Sequence, residues 1–89
     1  MKKLLSAVAV ALLSGVAVAG PTCTQAEPST WQNQDKFQAQ LVEQGYQIKK
    51  FKVTDGNCYE IYGKNKQGQK VEVYFNPVDG KVVKTKTES

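Results

Sequence analysis

The spacing of hydrophobic residues changes along the chain, and each change marks a boundary. Leu4 to Ala19 is an uncharged run of apolar and small residues that follows Lys2 and Lys3 and ends in Ala17-Val18-Ala19. Residues 20–30, Gly-Pro-Thr-Cys-Thr-Gln-Ala-Glu-Pro-Ser-Thr, have no period at all and predict an extended arm, residues 20–29, leading into a helix. From Thr30 to Gln44 there is neither Gly nor Pro, and Gly45 follows as a stop. Ser29 and Gln32 have the spacing of a capping box. Phe37 and Leu41 lie four apart, and Trp31 and Val42, eleven apart, return to nearly the same angle, which predicts one amphipathic helix. The other positions are rich in glutamine, so packing rather than ion pairing must hold it.

After Gly45 the period becomes two. Tyr46 to Val53, Cys58 to Tyr62, Lys70 to Phe75 and Lys81 to Thr85 predict four strands. Asp55-Gly56, the Gly- and Lys-rich stretch 63–69 and Asn76-Pro77-Val78-Asp79-Gly80 are the turns between them, and residues 86–89 are expected to fray. Tyr46 and Ile48 keep one phase while Phe51 and Val53 keep the other, which places a bulge near Lys49-Lys50. Such hairpins make an antiparallel meander, and one helix suffices to cover one of its faces. The expected fold is therefore α+β, one amphipathic helix on a three- to four-stranded antiparallel sheet. Alternation sets Tyr59, Ile61, Val71, Val73 and Phe75 toward the helix. Cys58, Glu60, Tyr62, Lys70, Glu72 and Tyr74 fall on the other face, expected to be uncovered, with Cys58 drawing the arm across or around that side.

Composition changes its meaning once the first segment is set apart. Two lysines, an uncharged run and a small-residue triplet followed by Gly20-Pro21 form a secretory signal peptide over residues 1–19, with cleavage after Ala19. A retained anchor would need a longer and more apolar run. Pro21 spoils the context a lipid-carrying cysteine would want at Cys23. Of 89 residues, 70 then remain, with ten lysines against eight acids, and the product is expected to be a monomer, periplasmic or secreted, with no stable membrane insertion. There is no histidine and no arginine, which removes the usual general base, the commonest metal ligand and the bidentate phosphate reader together.

Cys23 and Cys58 are an even pair in an oxidising compartment, so a disulfide between them is expected. Zinc would want four nitrogen or sulfur ligands. Redox catalysis usually employs a close Cys-x-x-Cys pair, and these are far separated. Closing a loop of about 35 residues stabilises a fold by roughly 3–4 kcal/mol. A 70-residue domain buries little enough surface to need it.

From Trp31 onward the landmarks resemble the PepSY domain family, named for peptidase propeptides and a spore-lysis accessory protein. The residues that carry the likeness are Phe37 and Leu41, then Gly45-Tyr46 with Ile48, then Cys58-Tyr59-Glu60-Ile61-Tyr62. Gly68 precedes Lys70-Val71-Glu72-Val73-Tyr74-Phe75-Asn76-Pro77, and Asp79-Gly80-Lys81-Val82-Val83 closes the pattern. Small, single-domain periplasmic members are the most similar, over residues 30–85. The resemblance implies a helix on an antiparallel sheet and no catalytic activity; no cofactor is expected. It also implies a role in restraining a peptidase or modulating another exported protein. The second segment and the fused protease of the larger propeptides are absent, so any inhibition would act in trans.

The candidate binding surface is Tyr62 and Tyr74, flanked by Glu60, Glu72 and Lys70, together with an exposed sheet edge able to take up a peptide strand. Cross-strand stabilisation explains the tyrosines equally well, and any open sheet has edges, here guarded by Lys81, Lys84 and Lys86. The lysines also form loose groups at 49, 50 and 52, at 64, 66 and 70, and at 81, 84 and 86. An alternative function is thus a small envelope protein that binds anionic polymer or lipid head groups. The interleaved acids favour a merely solvated surface, and export with no arginine disfavours nucleic acid. Asp55, Asn76 and Asp79 lack calcium-loop spacing and read as turn residues. No Ser-His or Cys-His pair can exist, which points to a protein that binds and does not catalyse.

Overall fold

The computed structural model describes residues 20–88, and the expected leader lies outside them. The helix, α1, spans Gln34–Glu43 and starts four residues later than its spacing predicts. The cap is not Ser29 but Asn33, whose side chain accepts the Lys36 N–H at 3.0 Å. Pro28–Thr30 instead form a short 3-10 turn, and Trp31 is extended. Trp31 therefore leaves the helix face assigned to it, sets its ring edge-on to Tyr59 at 5.8 Å and donates its indole N–H to the Ala26 carbonyl. Val42, its expected companion, is 56% exposed. At the other end Gly45, with φ of 107°, ends α1 as expected. The Gly45 and Tyr46 N–H groups return to the carbonyls of Val42 and Leu41, a Schellman closure.

Four strands follow: β1 (Gln47–Val53), β2 (Tyr59–Lys64), β3 (Lys70–Phe75) and β4 (Val82–Glu88). They form one antiparallel sheet in the order β1-β2-β3-β4, the meander anticipated from the alternating pattern. The bulge expected near Lys49-Lys50 is present, between Ile48 and Lys50. It lets Ile48 and Phe51 both pack toward the helix. Opposite it, Gly63 meets the β1 backbone so closely that a Cβ would lie 1.8 Å from the Gln47 carbonyl oxygen. A second slip, between Tyr74 and Phe75, leaves Val83 without an opposite residue. β4 runs past Thr85, and the residues expected to fray are paired: Lys86 lies opposite Glu72, Thr87 opposite Val71 and Glu88 opposite Lys70.

Phe37 and Leu41 of α1 meet Tyr59, Ile61, Val71, Val73 and Phe75 in one core, with Trp31, Tyr46, Ile48 and Phe51 at its margin. The Phe37 ring is 5.1 Å from both Tyr59 and Phe75. Phe37, Tyr59 and Phe75 are the buried aromatic residues of this core, and a large apolar side chain contributes on the order of 1.5–3 kcal/mol when fully buried. β4 contributes nothing to this core, and all seven of its residues are exposed.

Candidate functional site

The face of the sheet away from α1 is a checkerboard of charge and phenol. Antiparallel register sets Lys52, Glu60, Tyr74 and Lys84 in one row across the strands, and Lys50, Tyr62, Glu72 and Lys86 in the next. Both acids and both tyrosines thus occupy the two central strands, with lysines on the edge strands. In a third row, Lys64 faces Lys70, which faces Glu88. The five candidate surface residues are brought together, but not as an open patch. Glu60 is only 1% exposed, Tyr74 6% and Glu72 9%. Tyr62 is half-buried, and Lys70 is exposed. The expectation of an uncovered face is corrected at these three positions.

The covering comes partly from the arm. Cys23 and Cys58 are joined by the expected disulfide. Around it the Cys23 N–H donates to the Gly56 carbonyl at 2.9 Å, Asn76 Nδ2 donates to the Cys23 carbonyl and Asn57 Nδ2 to that of Thr24. These bonds tie the arm to the β1–β2 turn and to the end of β3. They bring Gly20 onto the ring of Tyr74, where a Cβ would lie 2.7 Å from Cε2.

Beneath it lies a tightly coupled cluster. The Tyr74 O–H donates to Glu72 Oε2 at 2.8 Å. Lys52 Nζ is 3.8 Å from Glu60 Oε1, and Lys86 Nζ is 3.8 Å from Glu72 Oε1. Glu60 Oε2 has no hydrogen-bond partner among the described residues. Burial, then the neighbouring Glu72, push the Glu60 carboxyl above the ordinary range. Glu72 is held down to about 2, first by hydrogen bonding with Glu60, with Tyr74, Tyr62 and Lys86 adding to it against the opposing effect of burial. Hydrogen bonding to Glu72, followed by burial, pushes Tyr62 up to about 12. Burial first and Glu72 second raise Tyr74 as well. The pair holds a proton on Glu60 more readily than on Glu72. Lys50 and Lys52 lie about 6 Å from the Tyr62 ring centre, at 5.9 and 6.0 Å, within cation–π range.

Two recesses open on this face. The larger, about 390 Å³, is lined by Lys49, Tyr62, Lys64, Lys70, Glu72 and Glu88 among others. The smaller, about 200 Å³, is lined by Lys52, Thr54, Asp55, Glu60, Tyr62, Glu72 and Tyr74 among others. Among the described residues no group of three or more His, Cys, Asp or Glu is placed to hold a metal ion. The grouping of lysines along the chain hid the edge rows. Strict alternation, with Lys50 beside Lys52 and Lys84 beside Lys86 at two-residue spacing, is the signal that places them on this face. Nothing in the sequence marks Gly20, whose position follows from the bridge.

A sheet of four antiparallel strands with one helix on one face is now established, and comparison with known families adds a name. The model of the peptidase propeptide and YPEB domain matches residues 3–86. The chain belongs to that family. For this PepSY domain, the likeness read over residues 30–85 extends to almost the whole chain. No curated protein and no solved structure matches it. No helix among the described residues of this PepSY domain is long and apolar enough to cross a membrane.

Proposed function

We propose that this PepSY domain is an exported, non-catalytic binding module that restrains a peptidase or modulates another exported protein by adding a strand of that partner to β4. The observation that carries this reading is the state of the two sheet edges. β1 is interrupted in mid-strand by its bulge, whereas the slip in β4 falls at Val83, near its start, and leaves Lys84 to Glu88 in unbroken register along an edge that is exposed throughout. A partner strand laid there gains main-chain hydrogen bonds, and Val82 and Val83, 53% and 43% exposed, offer it apolar contact. Lys84 and Lys86 guard the same edge against indiscriminate pairing. Family membership supports a peptidase as the partner.

The test is zymography of periplasmic peptidases with the domain starting at Gly20 added to saturation, followed by amide hydrogen exchange on any complex. Slowed proteolysis and new protection confined to residues 82–88 are expected. If no peptidase slows at saturating dose, the inhibitory role is lost; protection elsewhere sinks the use of β4. The rows of lysine favour the second reading, an anionic polymer binder, and capture that disappears at high salt would select it.

A further inference from the structure

The covered acid pair poses a problem that the side chains around it leave unsolved. Glu60 is 99% buried in a recess shared with Glu72 and Tyr74, and its Oε2 lacks a partner among the described residues. An oxygen left unpaired in this way keeps its full desolvation penalty with nothing to offset it. The lysines approach only the other carboxylate's Oε1 and Glu60 Oε1, at 3.8 Å, from well-exposed positions. A further cation delivered from the arm side would complete the cluster.

The arm carries one to the right place once the leader is removed. Hydrolysis of the Ala19–Gly20 peptide leaves a carboxylate on Ala19 and an amino group on Gly20. Gly20 lies on Tyr74: a Cβ there would stand 3.0 Å from Cζ and 3.1 Å from the hydroxyl oxygen, the same hydroxyl that donates to Glu72 at 2.8 Å. The next residue is fixed as well. The Pro21 carbonyl oxygen is 3.3 Å from Cys58 Sγ and sits where a Cβ on Gly56 would be only 2.2 Å away. The bridge thus holds the chain end against the sheet, so little entropy is lost in docking it.

We propose that the amino terminus created at Gly20 docks over Tyr74 as an ammonium ion bound by the Glu60–Glu72 pair. Processing then does more than release the protein. It replaces an uncharged peptide N–H with a cation beside the buried acid pair, and ties stability to correct cleavage. The facing charged and titratable groups are, besides the acid pair itself, Lys50 and Lys52 of β1, Asp55 of the β1–β2 turn, Tyr62 of β2, Tyr74 of β3, and Lys84 and Lys86 of β4. An ammonium stabilised by the fold has a raised pKa, so its contribution is full below the ordinary value of about 7.7–8.0 and fades as pH rises through the raised one.

The proposal shares with the proposed function only the removal of the leader, which N-terminal sequencing of the exported protein checks by itself. Three forms then decide it: one beginning at Gly20, one beginning at Ala19, and the first with its amino group acetylated. The Gly20 amine is expected to titrate about one unit above its ordinary range by NMR. The other two forms should show a folding constant roughly tenfold lower at pH 7, the equivalent of one such unit. That gap should close above about pH 9, and close in Glu72→Gln or, should that variant not fold, in Glu60→Gln. An amine of ordinary pKa, three forms of equal stability, or an exported protein beginning elsewhere than Gly20 would overturn it.

Discussion

At Gly63 the decisive quantity is a distance. A methyl group there would meet the Gln47 carbonyl oxygen at 1.8 Å, and that atom belongs to the backbone, which cannot swing aside as a side chain would. Gly63→Ala should therefore cost about 1–3 kcal/mol, seen as a lower denaturant midpoint. Glu72 behaves differently, because its contribution depends on charge. Its carboxyl is held down to about 2, so the stability it adds is present above the unfolded value of about 4.3 and lost as pH falls through the folded one. Glu72→Gln is expected to destabilise by on the order of 1–3 kcal/mol at pH 7. The deficit should shrink in thermal melts taken between pH 4 and pH 2. The identity of this pair was legible from alternation, since Glu60, Tyr62, Glu72 and Tyr74 share a face by counting in twos. Their burial was not legible, because it depends on where a covalent bridge puts the arm.

Among the elements, β3 was the easiest to read: Val71, Val73 and Phe75 are buried toward α1 as the alternation demands, with the same boundaries, Lys70–Phe75. The bulge in β1 was equally plain, since only an extra residue reconciles Ile48 with Phe51. α1 was misread at its start because Ser29, with Gln32 three residues on, imitates a capping box. Pro28 instead opens a 3-10 turn there, and Gln32 is spent on the loop after β3, its N–H donating to the Pro77 carbonyl at 2.8 Å. Asn33→Ala tests which cap operates. It should lower stability by about 1 kcal/mol, while Ser29→Ala leaves the thermal midpoint unchanged. β4 was read too short because Lys84 to Glu88 holds no large apolar residue, and strand pattern fails where neither face is buried.

For the whole molecule the bridge is the main constraint on a small core. Cys23 and Cys58 are 35 residues apart, and opening that loop should lower unfolding free energy by roughly 3–4 kcal/mol, measured by urea titration with and without reductant. The same bridge sets how the domain responds to proteolysis. It encircles α1 and β1 but leaves β3 and β4 outside the loop. A single cut between residues 24 and 57 leaves both pieces joined through sulfur. A single cut in the turn at Asn65 to Gln69 leaves β3 and β4 attached by hydrogen bonds and packing alone. Limited digestion should show this on a gel, where nicks of the first kind appear only after reduction and nicks of the second kind appear without it. The surviving tether means that damage to the N-terminal half is silent, whereas the turn before β3 is the point at which the molecule comes apart.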